Sequence, residues 1–306
     1  MADRINGNSK GVFVISATPF RDDGALDLDS TDSLIDFYLS AGVDGMTVLG
    51  MMGEAAKLSL DESSRFLERV LKRVGGRIPV VVGASNAGTD NLVAFSPEAM
   101  AAGASGVMIA PVPTLKHEEA VVGYFAEVCD RLGDIPVVLQ DYPQATGVNL
   151  SVPTIERLFA RCPQIVCFKH EDWPGLSKLS ALRANDAKRR RISILVGNGG
   201  LYLPQELARG ADGAMTGFAY PEMLVDVCRA YAAGKLGEGE DLFDLYLPLV
   251  RYEAQPGIGL AIRKEVLRRR GFIRSAHVRA PGPKLSAADG TELTSLIARL
   301  ETRRKD

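Results

Sequence analysis

"AGVDGMTV", residues 41–48, returns in altered form as "AGASGVMI" at 102–109 and as "RGADGAMT" at 209–216. Each phrase has the same grammar: a helix ends, a glycine-bearing turn follows, and an apolar, β-prone run begins. The recurrence marks one supersecondary unit used several times, without the fixed period of a solenoid. Working outward from these turns gives eight strand candidates, at residues 12–16, 44–50, 78–84, 106–111, 135–142, 165–171, 192–198 and 213–219. Their residues are nearly all apolar rather than alternating, as expected for parallel strands covered on both faces.

Helical stretches fill the gaps. "LDLDSTDSLIDFYLSAG" (26–42) offers capping residues, an apolar stripe of Leu34, Ile35, Phe37 and Tyr38, and Gly42 as a stop. "SLDESSRFLERVLKRVGG" (59–76) opens on Ser59 or Asp61 with an acidic first turn and closes on Gly75. "WPGLSKLSALRAND" (173–186) carries Pro174, suited to a first helical position. Eight strands alternating with helices through short loops predict an α/β fold, a closed (β/α)8 TIM barrel. An open doubly wound sheet would want a GxGxxG turn after the first strand, and "ISATPFRDDGAL" (15–26) has none. Beyond residue 219 the patterns are helical only. One of these helices completes the barrel and three form a C-terminal appendage, so the expected division is 1–235 for the barrel and 236–306 for the helices.

The bulk numbers exclude several classes. A chain of 306 residues with 46% hydrophobic and 24% charged residues is an ordinary globular protein, and a net charge of −2 favours neither nucleic acid nor an anionic membrane. The basic runs Lys188–Arg191 and Arg268–Arg270 read as solvated helix faces or interface residues. The start "MADRINGNSKGVF" has no apolar signal core, and no stretch nears the ~20 apolar residues of a membrane span, so a cytoplasmic protein is expected. Four cysteines without CxxC spacing read as buried free thiols, and three histidines without HxH or HxxxH pairing predict no metal site.

In such barrels chemistry collects at the C-terminal ends of the strands. "IVCFKHEDWPG" (165–175) puts Lys169 there, at the end of strand six. A desolvated lysine can be nucleophilic enough for a Schiff base with a carbonyl substrate. The competing reading is a lysine that snorkels to solvent. Strand alternation puts Glu171 on the side of Lys169 and His170 on the opposite one, facing the helix ring. Trp173 is expected to cap or pack on the helix that follows. "LGMMGEAA" (49–56) ends strand two, and its Gly50, Met51, Met52 and Gly53 could hold a carboxylate on backbone N–H groups. The alternative is a tight strand–helix turn that needs glycine. "VGNGGLYLP" (196–204) could also line the mouth.

These motifs, with "ATPF" (17–20), "DYPQATG" (141–147), "FKHED" (168–172) and the closing helices, resemble the dihydrodipicolinate synthase/N-acetylneuraminate lyase family of class I aldolases. The resemblance runs from about residue 10 to the end. It implies a Schiff base between a 2-keto acid, usually pyruvate, and Lys169. It also implies no cofactor and a homo-oligomer, dimer or tetramer. The departures are specific. The family's two hydroxyl residues between the loop glycines are Met51 and Met52 here, and its general acid/base tyrosine aligns with Gln140. Its relay tyrosine falls near Pro113, and its carboxylate-holding arginine aligns with Ala145. An amide can hydrogen-bond but cannot relay a proton near neutral pH. Tyr142, two residues beyond Gln140 on the same side of strand five if the strand stays regular, is the candidate replacement; the competing reading, with Pro143 next to it, is a loop or interface aromatic.

The expected function is a Schiff-base lyase or aldolase of a pyruvate-like 2-keto acid with a non-standard proton relay, and not dihydrodipicolinate synthesis. A hydratase, dehydratase or hydratase-aldolase of the same family is the alternative, and a non-catalytic binding protein the third. The assigned residues are Lys169, Tyr142 and Gln140 for catalysis, with Gly50, Met51, Met52, Gly53, Glu171 and Met215 for substrate binding.

Overall fold

Strands that are apolar on both faces need cover on both faces, and the chain supplies it by closing its sheet. The computed structural model describes residues 3–305. Its eight parallel strands pair in sequence order, and β1 meets β8 to complete a closed barrel. The strands are β1 (Gly11–Ile15), β2 (Gly45–Val48), β3 (Val80–Gly83), β4 (Gly106–Ile109), β5 (Val137–Asp141), β6 (Ile165–His170), β7 (Ser193–Val196) and β8 (Gly213–Thr216). Around them lie α1 (Leu28–Ser40), α2 (Leu60–Val74), α3 (Thr89–Ala102), α4 (Glu118–Leu132), the single turn α5 (Pro143–Thr146), α6 (Val152–Arg161), α7 (Leu176–Ala184), α8 (Leu203–Ala208) and α9 (Pro221–Ala232). Then come α10 (Leu236–Glu253), α11 (Gly259–Arg269) and α12 (Ala287–Arg303). All eight expected strands are present, each trimmed by a residue or more where the chain leaves the ladder.

Local chemistry sets the helix ends. Asp27 caps α1 by accepting from the Ser30 N–H at 3.0 Å. Ser59 and Glu62 form a reciprocal capping box at the start of α2, and Gly75 ends that helix in the left-handed region at φ 60°. The start of α7 departs from expectation. Pro174 is not its first residue: the helix begins at Leu176, after Gly175 at φ 49°. The turn folds over the His170 ring, whose Nε2 lies 3.0 Å from the Gly175 carbonyl oxygen. A Cβ on Gly175 would lie 2.1 Å from the Asp172 carbonyl oxygen, so only glycine fits there.

Alternation along the strands divides the core. One set of side chains packs between barrel and helices, among them Val12, Val48, Val107, Leu139, Phe168 and Ile194. The other fills the barrel: Ile5, Phe13, Ile15, Val81, Met108, Val138, Cys167, Leu195 and Met215. Full burial of such side chains contributes about 1.5–3 kcal/mol each before chain entropy is counted. One irregularity matters for the site. Val137 pairs with Ile165, but Val138 pairs with Cys167, so β6 carries one extra residue at Val166. From there the register is regular, and Gln140 lies beside Lys169.

The helices after the barrel return to its mouth. Glu54, at the end of the β2 loop, is buried and accepts from Lys264 of α11, from Lys57 Nζ at 3.0 Å and from the Arg279 N–H at 3.0 Å. Lys264 also donates to the His277 carbonyl at 2.8 Å and lies 4.5 Å from the centroid of the Phe20 ring. Burial pulls the Lys264 ammonium down to about 8, with Glu54 opposing. The four cysteines are buried and free. Among the described residues no helix is long and apolar enough to cross a membrane.

Candidate active site

The C-terminal ends of the strands surround a cavity of about 450 Å³. Lys169 reaches it from β6 and is only 4% exposed. Its Nζ lies 2.9 Å from Glu171 Oε2, and the same oxygen accepts from Gln140 Nε2 at 2.6 Å. Alternation after the bulge aims all three side chains inward, while His170 turns outward. One oxygen of Glu171 thus holds both the amine and the amide of the neighbouring strand. Room for this carboxylate comes from Gly197, where a Cβ would lie 2.2 Å from Glu171 Cγ. The Glu171 backbone is pinned as well. Its carbonyl accepts from Asn198 Nδ2 at 3.0 Å and, with the amide oriented nitrogen-first, from the Gln144 side chain at 3.0 Å.

Behind this row sits a second ionic group. Lys178 bridges Asp141 at 2.9 Å and Asp172 at 2.7 Å. Burial pushes the Asp141 carboxyl up to about 6 despite the Lys178 charge. Burial also drives His170 down to about 4, so its ring is neutral near pH 7 and does not form an ion pair with Asp141, 3.9 Å away.

The β2 loop shapes another wall. Met51–Gly53 make a single tight turn in which the Gly53 N–H donates to the Gly50 carbonyl at 3.0 Å. The Met51 and Met52 N–H groups meet no acceptor among the described residues, and both residues line the cavity beside Gly50. Leu49, Glu54 and Asn198 all have positive φ, at 53°, 57° and 52°. All three lie in loops that follow strands at this mouth, where strained backbone tends to gather.

Tyr142 lines the cavity at the start of α5. Desolvation, and next the Glu171 charge, raise its phenol above the ordinary value, which keeps it protonated at neutral pH. Two residues assigned to binding lie elsewhere. Gly53 is buried beneath the loop, where its carbonyl accepts from Thr18 Oγ1 at 2.6 Å. Met215 is 0% exposed in the barrel interior, below the cavity floor, and its neighbour Thr216 lines the cavity instead. Trp173 does not cap α7. It is 44% exposed, borders the cavity and packs edge-on against Tyr202, 5.3 Å between centroids.

The sequence reading missed a wall built after the barrel. Glu253 at the end of α10 and Arg263 in α11 both line the cavity and are buried. Arg263 Nε donates to Glu253 Oε1 at 2.6 Å, Arg263 Nη2 donates to the Gly217 carbonyl at 2.7 Å, and Glu253 Oε2 accepts from the Ala219 N–H at 3.0 Å. Burial raises the Glu253 carboxyl, with Arg263 pulling it back. No cluster of three or more His, Cys, Asp or Glu side chains with metal-holding geometry occurs among the described residues.

Comparison with known proteins gives this geometry a family. The sequence model of the Dihydrodipicolinate synthetase family matches residues 8–300. The L-2-keto-3-deoxyarabonate dehydratase of Azospirillum brasilense is 32% identical over 298 residues, covering 95% of this chain and 94% of that one. A 4-hydroxy-tetrahydrodipicolinate synthase of Methanosphaerula palustris is 31% identical over 294 residues, covering 94% and 98%. The crystal structure of dihydrodipicolinate synthase from Rhodopseudomonas palustris superimposes with a TM-score of 0.95 at 43% identity, covering 97% of this chain and all of that one. The chain therefore belongs to the dihydrodipicolinate synthetase family, whose members are Schiff-base lyases of pyruvate-like 2-keto acids.

Proposed function

We propose that this enzyme dehydrates a 2-keto-3-deoxy acid held as an imine on Lys169. The observation that carries the reading is the 2.9 Å contact between Lys169 Nζ and Glu171 Oε2 in a buried cavity. The amine adds to the C2 carbonyl and water leaves, giving the imine. C3 of that imine is two bonds from Nζ, so the carboxylate beside Nζ reaches the C3 proton. Glu171 takes it, and the resulting enamine expels the C4 hydroxyl, which leaves as water with a proton from the Tyr142 phenol. Hydrolysis frees Lys169 and an unsaturated 2-keto acid, and the Glu171 proton returns to Tyr142 through water. The free N–H groups of Met51 and Met52 hold the substrate's C1 carboxylate.

Gln140 has no proton to relay, and its bond to Glu171 makes it an orienting group. The likeness to a dehydratase along nearly the whole chain supports loss of water as the outcome. Condensation with aspartate semialdehyde fits less well. Ala145 is exposed on α5 and presents no guanidinium to a second carboxylate, a contact worth roughly 2–5 kcal/mol. In this reading residues 1–235 carry the chemistry and 236–306 wall it, and the family supports a homo-oligomer, testable by sedimentation.

Borohydride reduction in the presence of pyruvate or 2-keto-3-deoxyarabonate should add the reduced adduct's mass at Lys169, and Lys169→Ala should show none. Equal labelling of that variant removes the assignment. Carbon–carbon cleavage is the second reading, favoured by a phenol at the cavity rim. Product analysis separates the two: dehydration keeps all carbons in one molecule, whereas cleavage releases pyruvate and an aldehyde.

A further inference from the structure

Arg263 is 5% exposed and lines the cavity, yet its three nitrogens are not equally placed. Nε and Nη2 have acceptors in Glu253 and the Gly217 carbonyl. Nη1 is buried and meets no acceptor among the described residues. A buried donor left unsatisfied is costly, so such a group calls for a partner. The barrel makes room for it. Gly217 follows β8 at an inward-facing position, and a Cβ there would lie 1.8 Å from Arg263 Nη1. The guanidinium thus occupies the space where any other residue would put its side chain.

We infer that the Arg263–Glu253 pair is the specificity-determining wall of the cavity, and that it receives the hydroxylated tail of the substrate through Arg263 Nη1. The inference rests on the Schiff-base reading and extends it to the class of tail. The charge balance selects a hydroxyl over a second carboxylate. Glu253 already neutralises Arg263 at 2.6 Å, and an incoming carboxylate would meet the Glu253 charge as well. A hydroxyl oxygen accepts from Nη1 without that repulsion. Substrates are therefore 2-keto-3-deoxy acids with hydroxyls beyond C3, and 2-keto diacids are disfavoured.

The test is borohydride trapping at Lys169 with pyruvate, 2-keto-3-deoxyarabonate and 2-oxoglutarate, reading the concentration of each that gives half-maximal adduct. In the native protein the hydroxylated acid should trap at lower concentration than 2-oxoglutarate. Arg263→Met should shift the ratio of the hydroxylated acid to pyruvate by about tenfold or more against the hydroxylated acid. Gly217→Ala keeps the charge but forces the guanidinium aside, and should shift the ratio in the same direction. It covers the case in which Arg263→Met, by stranding Glu253, does not fold, and a thermal melt of each variant monitors this. An unchanged ratio in a folded variant, or preferred trapping of 2-oxoglutarate, overturns the inference and leaves the imine reading standing. Failure of the native protein to trap any of the three removes both.

Discussion

Glu171 serves two neighbours through one oxygen, and this sets what its replacement should do. Glu171→Gln keeps the shape and can still face Lys169 and Gln140, but it cannot take a proton. Turnover should fall by about 10²-fold or more, the scale of a lost general base, while the Lys169 adduct still forms under borohydride. Tyr142→Phe should give a similar fall if its phenol protonates the leaving hydroxyl. A Glu171→Gln enzyme with near-native turnover would move the base elsewhere, and Tyr142 would be next in line. Gln140→Ala should cost less than either, because an orienting hydrogen bond contributes less than the proton itself.

Among the elements, α8 holds a carboxyl with no evident role in the chemistry. Glu206 is 6% exposed, its Oε2 has no partner among the described residues, and burial pushes it up to about 8 from an ordinary 4.5. The folded chain therefore holds this proton more tightly than the unfolded one. Between pH 4.5 and 8 the folded state binds more protons, so stability from this group is present at low pH and lost as pH rises through the window. The slope approaches about 1.4 kcal/mol per pH unit. Glu206→Gln should flatten the urea-midpoint profile between pH 5 and 9 and stabilise the protein at pH 9 by roughly 2–4 kcal/mol. A parallel profile in the variant would show that the carboxyl finds water.

Elements of this kind were legible in the sequence where their cause is local. The eight apolar runs mark the barrel, and strand alternation alone puts Glu171 on the side of Lys169, where the two side chains meet. Pro174 was misread as the first helical residue, because the turn closes through Gly175, at φ 49° and against the Asp172 carbonyl, and the helix starts only at Leu176. Arg263 was not seen at all. In "AIRKEVLRRRG" it looks like any other charge on a helix, and nothing nearby marks Glu253 or Gly217 as its partners.

At the scale of the molecule, Glu54 fastens the barrel mouth to the helices that follow the barrel. Through Lys264 and Arg279 it joins the β2 loop to α11 and to the segment after it. Removing one partner of a buried pair typically costs about 3–5 kcal/mol, because the other charge stays buried. Glu54→Gln should lower unfolding stability by that order and open residues 274–284 to limited proteolysis. Native-like stability with an unchanged cleavage pattern would show that the rest of the interface holds the segment alone.

The extra residue at Val166 has a consequence of another kind, for which changes in chain length the protein can tolerate. In a closed ring no strand can slide without disturbing both neighbours, so β6 cannot correct its register by moving. The bulge splits β6 into two parts with independent phase. Lys169 is keyed to Gln140 across the ladder and not to the residue that opens the strand. Insertion or deletion of one residue ahead of Cys167 changes only how much chain is bulged or looped. The same change between Cys167 and Glu171 exchanges inside for outside, and brings the neutral His170 ring toward the position that Lys169 or Glu171 holds.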